Sequence, residues 1–187
     1  MNRGRAFYRG AFLLVLIYYA WILLVRQVPT VETFYHLVDL PFHEAGHVLF
    51  RIGGEFLTIL GGSLFQVIMP SIVFGHFFRR KDYFGAAVVL FWVGENFLDV
   101  SAYIGDARAM QLQLLGCEEP PCEGHDWNNI LDRLGMLKWD TALARFIFGL
   151  GAILMLGSIG YGLWLFWKDW TGDEAVLRKS DRSGVQP

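Results

Sequence analysis

The chain has 187 residues, of which 54% are hydrophobic, and a mean hydropathy of +0.36, which lies outside the range of an ordinary soluble globule. A formal net charge of −2, with no basic stripe to neutralise phosphates, excludes a nucleic-acid binder. The length suits one domain, and the alternation of long apolar runs with short polar clusters points to the membrane.

Four runs, residues 7–25, 56–78, 84–104 and 146–167, approach or exceed the roughly 20 helical residues that cross a hydrocarbon core. The first, "AFLLVLIYYAWILLV", follows Arg3, Arg5 and Arg9 as a signal peptide would, but "RQVPT" after it offers no small-residue cleavage site. It reads as an uncleaved anchor. Tyr8, Trp164, Trp167 and Trp170 mark span ends, where aromatic side chains sit between lipid and water. The expected fold class is all-α: a polytopic membrane helical bundle of four to five membrane segments, placing the chain in a bacterial-type inner or plasma membrane with the lipid bilayer as its first partner.

Between the first two runs, Pro41 suits the first turn of a helix better than its interior, with Asp39 or a neighbour as cap. Gly53-Gly54 would end that helix. Twelve residues from Pro41 rise only about 18 Å, so the helix either starts earlier and kinks at Pro41 or enters the bilayer without crossing it. The positive-inside rule favours the second choice, because it places Arg79, Arg80 and Lys81 on the side of the N-terminal arginines. Four crossings then leave residues 105–145 outside and the C-terminal tail inside.

Residues 105–145 form the one sizeable polar loop. Within it Trp127, Ile130, Leu131, Leu134 and Leu137 recur at helical spacing, as in a helix lying on the membrane surface. "CEEPPC" holds the two cysteines, Cys117 and Cys122, and a disulfide or a free pair are both open. Residues 1–170 are expected to form a single membrane-embedded domain, and residues 171–187 a polar, disordered tail. Gly149, Gly151, Gly157, Gly160 and Gly162 in the last run read as a packing surface.

"HEAGH", residues 43–47, carries the chemistry. His43 and His47, at i and i+4, project from one helical face a turn apart and can grip one Zn2+ ion. Glu44, displaced around the helix, is placed to take a proton from a metal-bound water. His36 falls on the face of His43 if the helix extends that far, either supporting the metal ligands from behind or, as is commoner, lying as an ordinary histidine at the membrane interface. Burying three such groups without a metal would be costly. A catalytic zinc needs a third protein ligand. Matching depths along the spans selects Asp99, with Asp106 and His125 as alternatives. Asp126 either orients the His125 imidazole or caps the helix that starts at Trp127.

"HEAGH" in an apolar context, then "GGSLFQ" in the next run and an aspartate in a later one, resembles the site-2 protease family of intramembrane zinc metalloproteases. The likeness covers roughly residues 40–107. It places Gln66 where that family carries an asparagine, and maps the family's aspartate onto Asp99 or Asp106. The family's Asn- and Pro-containing stretch with Leu-Asp-Gly is replaced by "NFLDVSAYIGDA". The resemblance implies a zinc-dependent endopeptidase with Glu44 as base and membrane proteins or peptides as substrates. Gln66 and the Gly61-Gly62 backbone are then placed to bind an extended substrate, with plain close packing of Gly61 and Gly62 as the equal alternative. A metal-binding or carrier protein, or an inactive protease-like scaffold, is the alternative reading. Nothing in the sequence specifies an oligomeric state.

Overall fold

The computed structural model describes residues 3–117, 119–122 and 124–171. The tail after residue 171, expected to be disordered, lies outside the described residues. Six α-helices follow in chain order: α1 (Arg3–Ala20, continued by a π-helical turn Trp21–Val25), α2 (Phe34–Leu49), α3 (Glu55–Arg79), α4 (Tyr83–Gly105), α5 (Asp126–Arg133) and α6 (Asp140–Thr171). No strand occurs among the described residues. Four helical segments, Gly4–Val25, Glu55–Arg79, Tyr83–Gly105 and Leu137–Thr171, are long and apolar enough to cross a membrane. The four apolar runs in the sequence fall inside them.

Helix α4 is the hub. Buried residues make up 67% of its apolar stretch, against 22% to 28% in the other three. Lipid tails are as apolar as leucine, so helices in a bilayer associate through close packing and polar contacts rather than through the hydrophobic effect. The sequence of α4 supplies both. Gly94 meets Gly151 of α6 so closely that a Cβ at Gly94 would lie 2.8 Å from the Gly151 carbonyl oxygen. Leu16 and Leu23 from the first segment pack with Phe91, Leu98, Met155 and Ile159 in the main cluster. Of the glycines of α6, Gly151 and Gly162 make the expected close contacts, whereas a Cβ at Gly149, Gly157 or Gly160 would meet nothing within 4 Å. Only these two of the five glycines read as a packing surface pack closely among the described residues. At the far end Arg9 pairs with Asp169 at 2.9 Å, fixing α1 against α6.

Helix α2 starts earlier than Pro41. Thr33 is its cap, accepting from the His36 amide at 3.4 Å, and Pro41 lies within the helix. Asp39, expected near a cap, is fully buried inside α2 and accepts from Trp92 Nε1 at 2.7 Å. The α-helix ends at Leu49, passes into a 3-10 turn over Phe50–Gly53, and reverses at Gly54, whose φ of 88° suits glycine. Against α3 it packs at backbone contact: a Cβ at Gly46 would stand 2.1 Å from the Gly61 oxygen. That contact sets the distance between the helix bearing HEAGH and its neighbour.

Candidate metal centre

His43 and His47 leave α2 on one face, their ring centroids 4.9 Å apart. Each ring is held by its Nδ1. His47 Nδ1 lies 2.8 Å from the Thr58 carbonyl oxygen, which only accepts, so this nitrogen carries a proton. His43 Nδ1 lies 3.1 Å from Gln66 Oε1. The Gln66 amide is oriented in turn by Asp99, whose Oδ2 accepts from Gln66 Nε2 at 2.7 Å. Both Nε2 atoms therefore turn to the same side. There they meet one oxygen, Asp126 Oδ2, at 3.1 Å from His43 and 3.3 Å from His47.

The donor set tests whether a metal fits. Nδ1–H on both rings leaves the neutral imidazoles with lone pairs at Nε2, and with the Asp126 carboxylate three electron-pair donors face one another within 4.8 Å. Such an arrangement is repulsive unless a cation lies among them. Without a metal that cation is a proton: the Asp126 carboxylate raises the His47 imidazole to about 9, against the opposing effect of burial. Burial pushes Asp126 up, but hydrogen bonds from His43 and His47 outweigh it and hold its carboxyl below the usual range. Room is also present. A Cβ at Gly62 would lie 2.6 Å from His43 Nε2 and 2.7 Å from His47 Nε2, so the glycine keeps the space beside both nitrogens open. Two imidazoles and a carboxylate, each ring backed by an acceptor on its other nitrogen, are a donor set that could hold a metal ion.

The residue brought to the histidine pair is thus Asp126 and not Asp99, Asp106 or His125. Asp99 sits on the other side of the His43 ring, bonded to Gln66 and to His36 Nδ1 at 3.0 Å. Both oxygens of Asp106 are engaged: they accept from the amides of Gln111 and Leu112, at 3.0 and 2.9 Å, and Oδ2 also accepts from His125 Nε2 at 3.2 Å. His125 Nδ1 accepts from the Asn128 amide at 3.2 Å, making His125 the cap of α5 in place of Asp126 and leaving neither ring nitrogen for a metal. These two residues shape the loop that delivers Asp126, whose own amide donates to the Tyr103 hydroxyl at 2.9 Å. A disulfide, Cys117–Cys122, closes the same loop. The surface helix expected to run from Trp127 to Leu137 is shorter, and Trp127 ties it to α3 through Ser63 at 3.0 Å.

Glu44 lines a cavity of about 620 Å3 that also contains His43, His47 and Asp126. Its walls come from α2, from Tyr103 of α4 and from the loop around Leu112–Cys122. Gln66, expected to hold substrate, is 3% exposed with both amide atoms committed to His43 and Asp99. Gly61 and Gly62 follow the close-packing alternative: Gly61 lies against Gly46 and Gly62 against the two imidazoles. Sequence reasoning missed Asp126 as the carboxylate that meets the histidine pair. Its available signal was a His-Asp pair at the start of a helix in the polar loop, and the pattern of one helix cap is too common to single it out. No protein-family model, curated protein or solved structure matches the chain.

Proposed function

We propose that this chain is a multi-pass membrane zinc endopeptidase of the site-2 protease type, cutting peptide bonds of membrane proteins or membrane-derived peptides at the His43–His47–Asp126 centre. One observation carries the reading: two Nε2 atoms and a carboxylate oxygen converge on one point, in a cavity that also holds the Glu44 side chain. A zinc ion held there would lower the pKa of its water to about 7 and polarise the substrate carbonyl. Glu44 takes the proton from the attacking water and returns it to the departing nitrogen. Gln66 and Thr58 keep the two rings turned toward the centre throughout. The substrate must be locally unwound, because a helical amide is shielded by its own hydrogen bonds.

The test compares the unmutated chain with Glu44→Gln, both purified in detergent and incubated with apolar membrane peptides, with and without a zinc chelator. Peptidase chemistry requires cleavage by the first, abolished by chelation, and none by the second at undiminished zinc content. Equal zinc in both without cleavage in either would turn the assignment to a metal-binding protein or an inactive scaffold.

A further inference from the structure

His36 is left over from the metal centre. It lies on the same face of α2 as His43, and its ring, 24% exposed, lines the cavity that holds Glu44 and Asp126. Its Nδ1 is clamped by both oxygens of Asp99, at 3.0 and 3.2 Å, and Asp99 is itself held by Gln66. The ring orientation is therefore set from behind. Its other polar atom, Nε2, has no protein partner among the described residues. Leu40, one turn along α2, and Val100, next to Asp99, line the same cavity and offer only apolar surface. A buried carboxylate orients an imidazole whose second nitrogen, without a partner among the described residues, stays open to a group entering the cavity.

The spacing says what that partner is. Seven residues of helix separate His36 from His43, a rise of about 10 Å. An extended peptide covers that distance in about three residues. A chain whose cleaved carbonyl sits at the metal centre, running along α2, would bring a main-chain amide to His36. We infer that His36 is a substrate-anchoring residue, hydrogen-bonding through Nε2 to the peptide main chain about three residues from the cleaved bond; this rests on the peptidase reading above. An imidazole serves that purpose in either protonation state, donating to a carbonyl when charged and accepting from an amide when neutral. Because it reads the main chain and not a side chain, it selects for an unwound segment of sufficient length whatever its sequence.

The experiment uses the full chain in detergent, in the non-cleaving Glu44→Gln background, and a nested series of fluorescein-labelled apolar peptides read by fluorescence anisotropy. His36→Phe removes the hydrogen bond and keeps a planar ring; His36→Gln keeps a polar group. Peptides long enough to pass His36 should bind about fivefold to tenfold more weakly to His36→Phe, as expected for one lost hydrogen bond. His36→Gln should recover part of that, and peptides too short to reach His36 should bind all chains alike. With Glu44 intact, KM for the long peptide should rise by the same factor at unchanged kcat. Equal binding of long peptides by all chains, or equal loss for short ones, overturns the inference. So does a fall in zinc content of His36→Phe matching the loss of binding, which would make His36 a positioning residue for His43, and so does peptide binding by none of the chains. If the unmutated chain binds but cuts nothing, the peptidase reading fails while the binding comparison still decides the role of His36.

Discussion

Gly62 faces His43 across a gap that a single methyl group would close, with a Cβ at Gly62 lying 2.6 Å from His43 Nε2 and almost as near His47 Nε2. The imidazole tips can swing away, whereas the backbone of α3 cannot, so the two rings yield before the fold does. Gly62→Ala is expected to weaken zinc binding at least tenfold while leaving the thermal midpoint unchanged or higher, since alanine stabilises a helix interior by about 1 kcal/mol over glycine. Zinc content by mass spectrometry together with a thermal melt checks both halves. Normal zinc in Gly62→Ala would mean that the space beside the two nitrogens has no part in the site.

Asp126 and Asp99 should separate cleanly. On the proposed assignment, Asp126→Ala, which takes away the carboxylate facing both Nε2 atoms, is expected to cost more than 100-fold in zinc affinity, whereas Asp99→Asn, which acts on His43 only through Gln66, should cost about 10-fold to 100-fold. Competition against a chelator of known affinity measures both. The reverse ranking would restore Asp99 as the ligand and remove Asp126.

Protons and metal compete for His47. Asp126 raises its proton affinity in the metal-free protein, to about 9, so below that pH a metal must displace a proton to bind. Affinity is therefore greatest at alkaline pH and should weaken about tenfold for each unit of pH as it falls. Chelator competition at pH about 8 and about 6 gives the slope. A flat dependence would show that no proton leaves the site on binding.

Gly46→Ala tests the contact that positions α2. A Cβ there would stand 2.1 Å from the Gly61 oxygen, a backbone atom with nowhere to go. Separating α2 from α3 should lower the thermal midpoint by several degrees, with a cost of about 1 to 3 kcal/mol, and reduce zinc content as well. An unchanged melt would mean that the two helices are not held at backbone contact.

The four long apolar helices are legible in the sequence because each is a long, mostly apolar run of the length that a hydrocarbon core would require, and the observed helices Glu55–Arg79 and Tyr83–Gly105 enclose the runs at 56–78 and 84–104. The histidine pair was legible because i and i+4 share a helical face. Asp126 was not. The choice of Asp99 compared depths along two helices by their rise per residue, which holds for ligands on regular elements. Asp126 arrives at the first residue of α5, 83 residues from His43, and the path of the loop that leads to it depends on Asp106, His125 and a disulfide rather than on any periodicity. Asp99, Gln66 and His36 each stand out in the sequence, but their connection runs across three helices, through hydrogen bonds that spacing along the chain does not encode.

X-ray absorption at the zinc edge of the purified chain bears most directly on the central claim, that His43, His47 and Asp126 hold one metal ion. The account predicts one zinc per chain, with two imidazole nitrogens and a carboxylate oxygen at about 2.0 to 2.2 Å and no sulfur, and loss of that spectrum in Asp126→Ala. Zinc far below one per chain with both histidines intact, or a first shell unchanged in Asp126→Ala, would contradict it.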